Sequence, residues 1–377
     1  GNPPYLGKRK ISGTMGYYFC NYARWKFKPT GLNELAAYFM RRIFYLLKDE
    51  GLFGLITTNS IKDGAVREDG LEQVVSQGGE IVMAVRSIKW PGVANLFVAL
   101  ISVFKGEWGK TRFLDNREVS TITSFFEDFI DIGNPENIIE NDGRIFQGSI
   151  FLGKGFLLTE KEARLLTLKD QKNMEVIFRT INGKEINSIP NQNSKDYIIN
   201  FYNWKKGKAK NYILPFRILE EKVKPFRDKQ KKKNYRENWW IYAERCPGLY
   251  QGIAKLKNCF VTTMTTKYLN FSSVCTEYIF TNSLFVFITD RWDLYSVVQS
   301  SIHEQWARKY SGALATILRY SRTNCFATFP FPGNIWKEEN SELAQIGETY
   351  HAYRKSLMLK LWLGLTDLYN LFHDPEL

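Results

Sequence analysis

Gly1-Asn2-Pro3-Pro4-Tyr5 opens the chain, and its reading decides the rest. The Asn side-chain oxygen and a proline carbonyl both accept hydrogen bonds. Proline cannot donate and its φ is fixed, so two in succession hold those acceptors stiffly. Two acceptors aimed at an exocyclic NH2 draw its protons out of the ring plane. The nitrogen lone pair is then free to attack a sulfonium methyl group. The Tyr5 ring offers a flat face to a base taken out of its stack. The plain alternative is a strand-to-turn junction, because Asn-Pro is a common turn starter.

Working outward, residues 1–115 read as half of an α/β domain. Asn33 is placed to cap a helix running to about Glu50, with Leu35, Phe39, Ile43, Phe44, Leu46 and Leu47 as its apolar stripe and Gly51 as its end. Phe53 to Thr57 reads as a buried strand. Ile81 to Ile88 and Leu96 to Phe104 are two more, joined through Lys89-Trp90-Pro91-Gly92-Val93-Ala94-Asn95 as an antiparallel hairpin. Thr57-Thr58-Asn59-Ser60 ends the first strand where ligands sit in open α/β sheets, and plain strand-capping polarity explains it equally well.

The tetrapeptide resembles that of the adenine-N6 DNA methyltransferases, in which it ends a central strand of the catalytic sheet. Cytosine-N4 DNA, RNA adenine and release-factor glutamine methyltransferases share it or a close variant. The resemblance implies an α/β fold: the C-terminal half of a Rossmann-like class I methyltransferase sheet, then an α+β target-recognition domain and a helical C-terminal segment. It implies Asn2, Pro3, Pro4 and Tyr5 as catalytic residues. Tyr5 and Phe104 would contact the flipped base from two sides, a core position being the plain reading of Phe104. Trp90-Pro91-Gly92 with Ala94 resembles a stretch of large restriction–methylation enzymes. The cofactor implied is S-adenosylmethionine, with no metal and no covalent intermediate. The family's donor site precedes the tetrapeptide. The only Gly-x-Gly here, Gly153-Lys154-Gly155, lacks the third glycine of a dinucleotide fingerprint. Most of the donor site is therefore expected upstream of Gly1, in a longer enzyme of which this is the C-terminal part.

The division expected is 1–115 for the catalytic half-domain, 116–145 for an acidic linker, 146–333 for target recognition and 334–377 for the helical end. Phe146-Gln147-Gly148-Ser149 and Gly153-Lys154-Gly155-Phe156 read as a glycine-loosened strand pair that lets backbone approach a phosphate or base, or as a bulged hairpin. Basic runs follow at Lys205-Lys206-Gly207-Lys208 and from Lys222 to Arg236, with Trp239-Trp240 behind them as core. Basic side chains among aromatics suit phosphate neutralisation; a solvated face is the bland alternative. The DNA-contact candidates are Lys154, Lys205, Lys206, Lys208, Arg227, Lys231, Lys232, Lys233, Arg236, Arg319 and Tyr320. His303 has no acidic partner in view and reads as structural.

A net charge of +13 over 377 residues, with 52 Lys+Arg and 15% aromatics, favours a nucleic-acid partner, and the resemblance implies double-stranded DNA. The five cysteines are scattered without a Cys-x-x-Cys pair, which argues against a zinc knuckle and for a reducing, cytoplasmic setting. The longest apolar run is far too short to cross a membrane. A nuclease domain or defence-system subunits are the further partners expected. Adenine over cytosine rests on Asn rather than Ser at the first motif position. A DNA-binding specificity module without catalysis is the reading from another class.

Overall fold

In the computed structural model, the residues described are 1–29, 31, 33–91, 93, 97–129, 133–314 and 317–374. The chain divides into one unit of Gly1–Glu136 with Trp306–Cys325, and a second of Asn137–Gln305 with Phe326–Leu377. The segment 306–325 packs with the first unit.

The first unit begins with helix α1 (Lys8–Phe27), broken at Gly16, where φ is 76°. Sequence periodicity did not reveal it, because among its described side chains only Ile11, Cys20 and Ala23 are buried. Helix α2 (Leu35–Leu46) follows. Its first cap is Glu34 and not Asn33. The Asn33 amide is taken up instead by the Asp69 carboxylate and the Ala65 carbonyl. The buried stripe also differs from the expected one: Leu35, Ala36, Ala37, Tyr38, Met40 and Phe44 are buried, while Phe39 and Leu46 are exposed. The small residues allow close approach, and a Cβ added at Gly70 would lie 3.0 Å from that of Ala37.

A five-stranded sheet forms from β1 (Leu52–Thr58), β2 (Gly79–Lys89), β3 (Phe97–Lys105), β4 (Arg112–Leu114) and β5 (Arg117–Val119), in the order β1-β3-β2-β4-β5. Strand β3 lies antiparallel to both β1 and β2, so the expected hairpin is present. Phe53, Leu55, Ile81, Ala84, Ile101 and Val103 pack under α2 with Met40 and Phe44 as one core. The expected linker is not free chain over its first half. Asp115 and Asn116, at φ 49° and 64°, turn β4 back into β5, the pair of positive φ that a tight hairpin needs. Phe126 is fully buried. The buried Arg67 donates to Ser124 at 2.7 Å and stacks 3.8 Å from the Phe125 ring centre.

The second unit holds two four-stranded sheets. One runs Ser272–Cys275, Asn258–Thr263, Leu284–Phe287, Ile145–Gln147, all antiparallel. The other runs Ile279–Phe280, Ile177–Ile181, Tyr197–Ile199, Leu157–Leu158. Helix Ser341–Leu361 ends at Trp362 with φ 54°, and helix Leu365–Phe372 follows. Gly148 does not offer its backbone outward. It is buried, its N–H bonds the Leu284 carbonyl, and a Cβ there would lie 2.2 Å from the Thr281 oxygen. Gly148→Ala is therefore expected to destabilise this unit by about 1–3 kcal/mol through forced backbone movement, measured as a lowered denaturant midpoint at unchanged m-value.

Candidate functional site

The Asn2–Tyr5 segment leaves the end of an extended residue paired with the middle of β1. Gly1 N donates to the Gly54 carbonyl at 2.6 Å, and Ile56 N donates to the Gly1 carbonyl at 2.8 Å. That is the hydrogen-bond pattern of a parallel bridge between Gly1 and Leu55. The chain therefore approaches the tetrapeptide running the same way as β1, and the motif lies towards the Thr58 end of the sheet.

Within the motif, Pro3 is buried while Asn2 and Pro4 are exposed. The Tyr5 hydroxyl donates to Asn2 Oδ1 at 2.5 Å, with the Ile56 carbonyl a longer acceptor at 3.1 Å. Burial, and then the nearby Glu34 carboxylate, raise the Tyr5 pKa above its ordinary value. The phenol accordingly stays a donor, which fixes the Asn2 amide with its oxygen turned to the ring. Amide oxygens carry two lone pairs, so one remains. Among the described residues no hydrogen bond reaches the Pro3 carbonyl.

The same end of the sheet gathers more polar groups. Thr58 and Ser60 hydroxyls both reach the Glu34 carboxylate. Asn59 donates to Ser87 at 2.9 Å, and the Thr57 side chain is buried. Val98 pairs with Thr58, and Phe97 with Lys89, so Trp90 and Phe97 lie at this end too, each half-buried. Gly92, Ala94 and Asn95 of the Trp90 stretch lie outside the described residues.

Phe104 does not join them. It pairs with Leu52, roughly 13 Å along β1 from Ile56, and its ring lies 5.0 Å from that of Trp108. An antiparallel strand returns to the far end of the sheet, so the aromatics that reach the motif's end stand at the start of β3 and not at its finish. The direction of the expected hairpin was the signal that could have found Phe97.

The basic candidates separate by burial. Lys154, Lys205, Lys206, Lys208, Lys231, Lys232 and Lys233 are exposed in the second unit. Lys208 Nζ sits 3.8 Å over the Trp204 ring. Arg227 is fully buried and cannot reach a phosphate. Its guanidinium donates to the carbonyls of Phe151, Leu152 and Ile241 at 2.7–2.9 Å. Arg236 is half-buried and closes its own loop on the Gln230 and Lys231 carbonyls. Trp239 and Trp240 are core. Arg319 is exposed on a strand of the first unit, apart in the chain's division from the lysines, and Tyr320 beside it is buried. His303 is fully buried with Nδ1 2.7 Å from the Val298 carbonyl, and burial lowers its pKa to about 4. Among the described residues, no group of three His, Cys, Asp or Glu side chains is placed to hold a metal, and no helix is long and apolar enough to cross a membrane.

Arg227→Ala is expected to cost the second unit about 3 kcal/mol or more, because three carbonyls are deprived of a charged donor together. Thermal denaturation checks this; an unchanged midpoint would remove Arg227 from the structural role assigned to it.

Comparison with known proteins gives a consistent result. The family model "MmeI, target recognition domain" matches residues 132–333, more than half of the chain, and "MmeI, DNA-methyltransferase domain" matches residues 1–112. Among solved structures, the type IIL restriction-modification enzyme MmeI in complex with DNA superposes with a TM-score of 0.79 at 16% identity, over 100% of this chain and 51% of that one. The type IIG restriction endonuclease BpuSI (TM-score 0.30, 11% identity, 92% of this chain and 48% of that one) and a DrdV–DNA complex (0.40, 10%, 93% and 44%) are more remote. No curated protein matches. The chain spans about half the length of the MmeI structure. With its two domain models falling in order along the sequence, the chain belongs to the MmeI family, as a methyltransferase domain followed by a target recognition domain.

Proposed function

We propose that this chain carries the acceptor side of an S-adenosylmethionine-dependent DNA methyltransferase acting on adenine N6, joined to the DNA reader of a restriction–modification or phage-defence enzyme. The observation that carries this reading is the parallel pairing of Gly1 with β1, which delivers Asn2–Tyr5 to the sheet end with the Asn2 amide held by Tyr5. The strand order, with β3 antiparallel between β1 and β2, supports the closing half of a Rossmann-like class I sheet. The division we favour keeps 1–115 as catalytic, 116–145 as connecting, 146–333 as target-recognising and 334–377 as helical. Enzymes of this kind work on chromosomal DNA, so the setting proposed is cytoplasmic.

The residues present fit the acceptor half of such a site, since Asn2 Oδ1 keeps a lone pair and the Pro3 carbonyl has no described partner. The Asn2–Tyr5 segment would border S-adenosylmethionine, which supplies an electrophilic sulfonium methyl when bound. Asn2 Oδ1 and the Pro3 carbonyl accept the two N–H bonds of the adenine amino group. As positive charge builds on that nitrogen both oxygens stabilise it more strongly, without having to reorganise. Buried Pro3 cannot yield its position, and Tyr5 keeps the amide from rotating. Tyr5 also provides the platform for the flipped base, and Trp90 and Phe97 replace Phe104 as the aromatics nearest that end. Exposed lysines at 154, 205, 206, 208 and 231–233, with Arg319 on the first unit, neutralise DNA phosphates. Arg227, Arg236 and Tyr320 support the fold beneath them.

In the full-length enzyme, Asn2→Ala is expected to lower methyl transfer at least about 100-fold, the scale of removing one preorganised electrostatic partner, while DNA affinity changes little. Transfer of labelled methyl to duplex DNA, with RNA and protein acceptors as competitors, measures this; unchanged turnover would exclude the acceptor role. Replacing Lys231, Lys232 and Lys233 by Ala is expected to make the salt dependence of DNA binding shallower, by roughly 0.9 in log–log slope for each phosphate no longer neutralised. A slope identical to the wild type would assign these lysines to solvent.

A further inference from the structure

Glu34 precedes α2 in the position of a helix cap, yet its side chain caps nothing. Its carboxylate turns instead to the end of β1. Thr58 Oγ1 lies 2.9 Å from both carboxylate oxygens, and Ser60 Oγ lies 2.6 Å from one of them. The two hydroxyls are 2.6 Å from each other. One residue on, Leu35 N donates to the Leu6 carbonyl at 3.0 Å, directly after Tyr5. Tyr5 in turn reaches Ile56, two residues before Thr58. Three stretches of chain, 1–6, 34–35 and 56–60, are thereby closed into one ring at the end of the sheet. Glu34 contributes its negative charge.

Glutamate is not among the short side chains that cap a helix start, so its longer carboxylate can turn elsewhere. Turning it to two hydroxyls at a strand end makes sense where that end must be held in register with Asn2–Tyr5.

We propose that Glu34 is a positioning residue for the methyl-acceptor site: its carboxylate ties the Thr58–Ser60 turn to the start of α2, whose Leu35 N–H holds the Leu6 carbonyl directly after Asn2–Tyr5. The proposal rests on the reading of Asn2–Tyr5 as the acceptor site. The charged group that acts on the Tyr5 phenol is Glu34, which disfavours the phenolate. Lys62, further along the same turn, is paired with Asp63 at 3.3 Å. Removing the Glu34 charge therefore lowers the pH at which Tyr5 gives up its proton, and with it the hydrogen bond to Asn2 Oδ1.

The experiment uses the full-length enzyme and labelled methyl transfer to duplex DNA, from neutral pH into the phenol range, for wild type, Asn2→Ala, Tyr5→Phe, Glu34→Gln and Glu34→Asp. Glu34→Gln, which keeps the shape and removes the charge, is expected to lower kcat about tenfold to a hundredfold, the scale of a small misplacement, with KM for DNA little altered. Its alkaline limb should move to lower pH, and in Tyr5→Phe that limb should vanish. Glu34→Asp, which keeps the charge, should recover part of kcat and the wild-type limb. Wild-type kcat in Glu34→Gln, with Asn2→Ala inactive, would overturn the proposal alone. So would a lowered kcat with an unmoved alkaline limb and no recovery in Glu34→Asp, which would mark a purely structural role. Wild-type turnover in Asn2→Ala would overturn the acceptor-site reading, and this proposal with it.

Discussion

The parallel pairing of Gly1 with the middle of β1 is the constraint on which the candidate site depends. It is a matter of two backbone hydrogen bonds, but their direction settles where the tetrapeptide emerges. Two prolines follow Asn2, so the chain cannot continue the ladder: neither has an N–H to give. The strand must stop there, and the Pro3 carbonyl has no hydrogen-bond partner among the described residues. The side chains gathered at that end of the sheet come from segments that are distant in sequence: Glu34 from the start of α2, Thr58 and Ser60 from the end of β1, Trp90 and Phe97 from the two sides of the β2–β3 hairpin.

Buried arginines organise the surroundings in both units. Arg67 in the first is held by Ser124, Asn134 and the Glu72 carboxylate, against the Phe125 ring. Arg227 in the second is held by backbone carbonyls alone, and burial lowers its pKa to about 10. In each case a charge removed from water is tolerated because several of its donors meet acceptors, although Arg67 Nε meets none among the described residues. Both fasten chain that has little regular structure of its own, the stretch after β5 and the loop around Phe151 and Leu152. A guanidinium suits that task because its planar fork reaches several carbonyls at once.

The same arginines show where a residue pattern misleads. Arg227 and Arg236 stand in a run of lysines, and composition gives no means of telling them from their neighbours. The lysines stay out because a flexible ammonium is strongly hydrated and finds no matching set of acceptors inside. Arg227 goes in because Phe151, Leu152 and Ile241 present such a set, assembled from positions 75 residues up the chain and 14 down it. Tyr320 differs from Arg319 for a simpler reason: in an extended strand successive side chains leave opposite faces. Helix α2 misled in its own way, since Ala37 counts little in an apolar stripe yet is what permits the close approach to Gly70.

By itself the sequence determined the tetrapeptide and its acceptor chemistry, the strand–hairpin pattern after it, the basic character of the region from Lys205 to Arg236, and the family those parts resemble. These are local properties, carried by proline geometry, alternation of apolar residues and charge. Only the tertiary structure decided which aromatics share an end of the sheet with Tyr5, that Glu34 turns from its helix to Thr58 and Ser60, and that residues 306–325 return to the first unit. Those outcomes depend on strand direction, register and the competition of distant acceptors for one side chain, and none of these is encoded in the spacing of neighbours along the chain.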